Sequence, residues 1–302
     1  MIWEPQLPIG GINMAIFYNQ ATLSYNGNVT ASNMITGEIM EVLSASKNAV
    51  VDTYSPENET VFVITAVNSG NEDYTGLTVT DDLGEYCFGE EECPLVPLTY
   101  TVGSVNYYIN GVQQPAPMVT STSPLVISGI DVPAVGNAVI IYSARANNFA
   151  PMGSGAIITN TATITGPGVG TPIIASAIIS ALDTADLTIS KSLTPSAVQE
   201  NGQLTYTFVI QNYGSLPATA DDTVIFKDIF DPIIVPSEII FNDRPWIQGV
   251  NYNYDLRTGE FTSADGQITV AEAEFTQDAV TGSWTIKPGT SVLTIKGRIT
   301  TA

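Results

Sequence analysis

The chain has 302 residues, room for about two domains of ordinary size, and a formal charge of −21 with only nine Lys and Arg. That charge argues against nucleic acid and anionic membrane surfaces as partners. There is no His, which excludes Ser-His, Cys-His and His-ligated zinc chemistry. Charged helix formers are scarce beside Thr, Val, Ile, Tyr, Gly and Pro, so the expected class is all-β.

Met1 to Asn13 is punctuated by Pro and Gly and reads as an arm. The opening Met1-Ile-Trp-Glu-Pro lacks the basic start and apolar middle of a signal peptide, so either a leader has been removed or export does not use one. No apolar run is long enough to span a bilayer, and no membrane insertion is expected. Met14 to Tyr25 reads as an apolar-rich strand and Asn26 to Ser32 as a turn. From Ile39 a strand leads into Lys47, and Thr60 to Gly70 is a long apolar run ending in turn chemistry. Leu77 to Asp81, Leu98 to Val102, Val105 to Ile109, Leu125 to Ile127, Ala138 to Ala146 and Ala156 to Thr165 complete the first half, at spacings typical of a β-sandwich.

Cys87 and Cys93 bracket a short acidic segment. A small disulfide loop in an oxidising compartment is the expectation, with two loop thiols as the alternative. A metal site would need more soft ligands than this pair, and neither a metal nor any other cofactor is expected.

The first half then repeats. Lys47 and Lys191, Asn68 and Asn212, and Gly70 and Gly214 all differ by 144 positions, and Val224 to Asp228 answers Leu77 to Asp81 after a three-residue insertion. The expected layout is an arm, donor strand and linker (1–38), a first Ig-like sandwich (39–166), a linker (167–185) and a second Ig-like sandwich (186–302).

These phrases resemble a bacterial and archaeal surface repeat, the domain-of-unknown-function family numbered eleven, an Ig-like fold found in tandem on cell and spore surfaces. The residues that carry the resemblance are Lys47, Asn68-Ser-Gly70, Val79-Thr-Asp81 and Asn160-Thr-Ala-Thr-Ile in the first domain, and Lys191, Asn212-Tyr-Gly214 and Asp228 in the second. The second domain ends at Ser291 to Ala302 with no counterpart of the Asn160 strand. A sandwich lacking its closing strand exposes unpaired backbone and an apolar core.

A matching strand stands at the other end of the chain: Ala15-Ile-Phe-Tyr-Asn19-Gln-Ala-Thr aligns without gaps with Ala156-Ile-Ile-Thr-Asn160-Thr-Ala-Thr. Ala15, Phe17, Asn19, Ala21 and Leu23 are the expected residues of a strand donated to the second domain of another subunit. Such a head-to-tail contact repeats into an open filament, a homopolymer of identical subunits. Folding back onto the chain's own second domain would require a spacer of about twenty residues, at about 3.4 Å each, to cross an intervening domain. A closed swapped dimer is the other alternative.

Lys47 and Lys191 follow apolar alternation that points them inward. Burial favours the neutral amine, a nucleophile. Facing an Asn carboxamide, and helped by a protonated carboxyl group, such an amine displaces ammonia and leaves an isopeptide bond. Ig-like surface domains of pili and adhesins, which this chain resembles, carry such self-catalysed links. The expected trios are Lys47, Asp81 and Asn160 within one chain, and Lys191 and Asp228 with Asn19 from the donated strand. Asp82 is an alternative to Asp81, and buried ion pairs with Asn caps are the alternative to cross-links. No catalytic turnover is expected beyond this single event. The function expected is an extracellular fibre subunit on a cell or spore surface, with a spore appendage slightly favoured; the alternative is a binding module of a multidomain adhesin.

Overall fold

The computed structural model describes residues 14–25, 28–40, 42–56, 58–89, 93–199 and 201–299, with residues 14–17, 38–40 and 93 described as backbone only. The expected arm Met1 to Asn13 lies outside these residues. Among the described residues one 3₁₀ turn, Ala220–Asp222, interrupts an otherwise all-β chain.

The chain begins as a free-standing hairpin. Strand β1 (Met14–Asn19) pairs with β4 (Ile35–Met40), and β2 (Thr22–Tyr25) continues the ladder with β3 (Asn28–Ala31). The expected donor strand is therefore not a lone strand followed by a turn and spacer: residues 28–40 fold back along it. Backbone groups at an open edge need partners, and in the free chain the nearest supply is local.

The first sandwich uses β5 (Leu43–Ala49), β6 (Thr53–Tyr54), β7 (Glu59–Asn68), β8 (Tyr74–Asp81), β9 (Tyr86–Phe88), β10 (Cys93–Leu95) and β11 (Leu98–Tyr100). It continues through β12 (Asn106–Ile109), β13 (Val112–Gln114), β14 (Met118–Thr122), β15 (Leu125–Val132), β16 (Gly136–Ala146), β17 (Ile157–Thr165) and β18 (Ile173–Ala181). One sheet runs β13-β12-β16-β7-β5, with β11 also on β16, and the facing sheet runs β14-β15-β8-β17-β18-β6. Strict alternation builds the core: in β16 each of Ala138, Ile140, Tyr142, Ala144 and Ala146 is buried while the residues between them are not. The expected linker 167–185 is corrected here, because β18 within it pairs with β17 along its whole length and packs over β5.

The second sandwich has β19 (Leu187–Thr194), β20 (Gln203–Asn212), β21 (Lys227–Ile229), β22 (Ile234–Phe241), β23 (Arg244–Pro245), β24 (Tyr252–Asp255), β25 (Glu260–Ser263), β26 (Glu274–Gln277), β27 (Trp284–Lys287) and β28 (Gly289–Ile299). Its large sheet is β19-β20-β28-β22-β23 and the facing layer is only β21-β25-β24. An aromatic cluster of Tyr206, Phe208, Phe226, Phe230, Tyr254 and Phe261 fills the space between them. Trp246 packs against Phe241 in a tilted pair, with ring centroids 5.1 Å apart. The β26–β27 hairpin docks on the first sandwich: Trp284 N donates to Asn148 O (2.8 Å) and Gln277 Nε2 to Tyr86 Oη (3.1 Å).

Both copies of the repeat keep the same backbone register, Lys47 opposite Ile64 and Lys191 opposite Phe208. The Asn-x-Gly phrase is structural in both. Asn212 Oδ1 accepts from the Gly214 and Asp186 amides (2.9 Å each), and its Nδ2 donates to Leu216 O and Ala271 O (2.8 and 3.0 Å). A Cβ on Gly214 would meet Thr184 O at 2.1 Å, which explains the glycine.

Candidate functional site: two lysine–aspartate centres

In the first sandwich four strands, two from each sheet, converge on one polar point inside the apolar core. Lys47 is at an inward position of β5 and Tyr142 of β16; Asp81 ends the inward row of β8 and Asn160 lies on that of β17. Lys47 is 4% exposed and the other three 0%. Lys47 Nζ lies 2.7 Å from Asp81 Oδ2. The Tyr142 hydroxyl donates to that same oxygen (2.7 Å) and accepts from Asn160 Nδ2 (2.8 Å), and Asp81 Oδ1 accepts from the Leu83 amide (3.1 Å). The ammonium end of Lys47 also sits over the rings of Phe62 and Tyr142, 5.2 and 5.8 Å from their centroids.

Desolvation is the dominant electrostatic effect. It lowers the Lys47 pKa against the opposing pull of Asp81 and Asp82, and raises that of Asp81 against the pull of Lys47, Tyr142 and the Leu83 amide. Both shifts favour a neutral amine beside a neutral carboxyl group. Asn160 Oδ1 is buried and has no hydrogen-bond partner among the described residues, which leaves the carboxamide carbonyl open to a carboxyl donor. The site thus brings an amine, a carboxyl group and a carboxamide together inside the core. Sequence reasoning missed Tyr142, the hydroxyl that joins Asp81 to Asn160; no repeat signalled it, since the residue in the equivalent register of β28 is Ile295.

The second centre keeps the pair and loses the cover. Lys191 Nζ lies 2.6 Å from Asp228 Oδ2, but the side chains are 44% and 18% exposed. Lys191 sits over Tyr206, Phe208 and Phe230 at 4.8, 5.4 and 5.4 Å. Where β5 alternates between more and less buried residues, β19 is exposed from Thr188 onward. The reason is topological: β8 has neighbours on both edges, β15 and β17, whereas β21 has only β25. Among the described residues no strand occupies the β17 place in the second sandwich.

Asn19 is exposed on the N-terminal hairpin, opposite Ile35, and that hairpin joins neither sandwich. Ala21 and Leu23 are exposed with it; Ala15 and Phe17 are described as backbone only. The structure therefore assembles Lys47, Asp81 and Asn160, assembles Lys191 and Asp228, and leaves Asn19 apart from both. The expected disulfide is corrected: Cys87 is a free, exposed thiol. The β9–β10 register explains this, pairing Cys87 with Pro94 and Cys93 with Phe88 instead of the two cysteines with each other. Among the described residues no cluster of three or more His, Cys, Asp or Glu is arranged to hold a metal ion.

Solved structures similar in fold include the major pilin subunit BcpA of Bacillus cereus, at 12% identity and a TM-score of 0.33 over 91% of this chain and 73% of that one. The pilus backbone RrgB of Streptococcus pneumoniae matches at 14% identity and 0.31, over 82% of this chain and 56% of that one. A family 123 glycoside hydrolase from Clostridium perfringens matches at 9% and 0.29, this chain spanning 28% of its length. At these values the likeness carries no conclusion about this chain. No protein-family model matches the chain and no curated protein matches it, so membership of the surface-repeat family resembled by the short motifs is not shown.

Proposed function

We propose that this chain is the structural subunit of an extracellular fibre, joined head to tail by donation of the N-terminal strand and stapled by Lys–Asn isopeptide bonds. The observation that carries the reading is the contrast between two equivalent Lys–Asp pairs. One is sealed under a strand that presents Asn160; the other is open where that strand is absent, and an Asn-bearing strand of the same sequence pattern stands unused at the far end of the chain.

The chemistry is one reaction run twice. Neutral Lys47 Nζ attacks Asn160 Cγ, and the Asp81 carboxyl group donates to Oδ1 as negative charge develops there. A C–N bond forms and the Cγ–Nδ2 bond breaks. Asp81 carries the proton released by the amine to the leaving nitrogen, which departs as ammonia. At the second centre Lys191, Asp228 and Asn19 of another subunit take the same roles, and docking of the donated strand supplies the desolvation that the open site lacks. The protein acts on itself once and does not turn over. A surface location, on a spore or a vegetative cell, suits a covalent homopolymer with this excess of acidic residues.

Boiling the assembled protein in SDS tests the reading. A covalent ladder that collapses to monomer in Asn19→Ala and in Lys191→Ala is the expected result. Monomer from the wild type removes the intermolecular bond, and a ladder that stops at two copies replaces the filament with a swapped dimer.

A further inference from the structure

The closing element of the first sandwich is not one strand but two. β17 pairs with β8 along one edge, and β18, paired with β17, packs over β5. Among the described residues the second sandwich has no counterpart of either. Its large sheet consequently leaves the inner side of β19 bare, with Ile189 56% and Leu193 37% exposed. A groove of about 230 Å³ opens between β19 and residues 224–227, lined by Leu187, Ile189, Ile210, Val224, Phe226 and Ile268. One strand laid along 224–228 would pair that edge and still leave β19 uncovered.

The N-terminal segment is also two strands. Taking Asn19 with Asn160, the ladders coincide: Asn19 opposes Ile35 as Asn160 opposes Ala177, and two residues on Phe17 opposes Gly37 where the first sandwich has Ile158 opposite Ile179. Residues Ile35, Gly37 and Ile39 thus take the register positions of Ala177, Ile179 and Ala181. Thr36 takes that of Ile178, which faces outward. On the edge side, Ala162 opposes Asp81 and Ile164 opposes Val79, so Ala21 and Leu23 would oppose Asp228 and Phe226. Ile35 and Leu23 are 55% and 66% exposed in the free hairpin, apolar residues with nothing to cover them.

We infer that the donated element is the whole β1–β4 hairpin of a second copy, entering the groove of the second sandwich as a ready-made substitute for β17–β18. This rests on the filament reading above and refines it: β1 and β2 complete the edge and deliver Asn19, while β4 covers β19. The hairpin arrives already paired, so docking forms one new ladder and buries one apolar face without first ordering a disordered segment.

The test uses the full-length chain as wild type and as Leu23→Asp, Ile35→Asp and Thr36→Asp, following assembly by light scattering and the SDS ladder. All three positions are exposed in the subunit, so its fold is retained. An Asp forced into an apolar groove should lower the assembled yield about tenfold or more in Leu23→Asp and Ile35→Asp, while Thr36→Asp stays within about twofold of wild type. Hydrogen exchange at residues 36–39 should slow on assembly. If Ile35→Asp assembles like wild type, and residues 36–39 exchange alike before and after, single-strand donation replaces the hairpin and the filament reading stands. If the wild type never assembles, both fall.

Discussion

Lys47 and Lys191 occupy the same place in the repeat and the same backbone register, yet one side chain is 0% exposed and the other 44%. Burial sets Lys47 apart, because desolvation favours its neutral amine. Under the proposed chemistry the product in the first domain is an isopeptide bond, so the intact mass should be lower than the sequence mass by one ammonia. Lys47→Ala, Asn160→Ala and Asp81→Ala should each restore the full sequence mass, and a wild type at that mass removes the bond. Asp81→Ala also leaves the buried Lys47 amine without its hydrogen-bond partner, which should cost about 1–3 kcal/mol of stability. The pH dependence follows from the two shifts. Asp81, raised by burial, loses its protonated form as pH rises through its folded-state pKa; Lys47, lowered by burial, loses its free amine as pH falls through its own. Ammonia release on refolding should therefore be fastest between these limits and fall on either side, and a rate climbing steadily into alkali would show that Asp81 takes no part as an acid. Tyr142→Phe should slow bond formation while leaving the bond attainable, since the hydroxyl orients Asn160 and Asp81 without transferring a group.

At the scale of elements, the Asn-x-Gly turns and the β26–β27 hairpin do structural work at a distance from either lysine. Asn212→Ala leaves buried amides and carbonyls unpaired and should cost about 1–3 kcal/mol for each such group, measured as a lowered midpoint in urea. Gly282, at φ +73° in the docked hairpin, has Leu95 Cδ1 2.3 Å from where a Cβ would stand. Gly282→Val should lift the hairpin from the first sandwich and speed proteolysis between the domains, near residues 182–186; an unchanged cleavage rate would mean the docking contributes nothing to the joint.

For the molecule as a whole, the −21 charge opposes association, because every subunit added brings the same excess of carboxylates. Screening shortens that repulsion from a range of about 30 Å at 0.01 M salt to about 10 Å at 0.1 M. Assembly followed by light scattering should accelerate over that interval. Slowing with salt would indicate that opposite-charge contacts dominate the subunit joint, against the apolar hairpin docking argued here.

The all-β class, the tandem repeat and the pairing of Lys47 with Asp81 and of Lys191 with Asp228 were readable in the chain, because a period-2 pattern commits each strand to one inward row and a shared offset of 144 carries that row into the second domain. Other features were decided by tertiary structure. Tyr142 reaches Asp81 and Asn160 only because two sheets meet face to face, a distance no local pattern encodes. β18 lay hidden in a segment rich in Gly and Pro at its start, and became a strand because β17 offered it an edge. Cys87 and Cys93 are close in sequence, but the β9–β10 register sets them against other residues. The sequence determined which residues face inward along each strand; the pairing of edges, a long-range property of the backbone, decided which of those residues meet and which lysine is sealed from water.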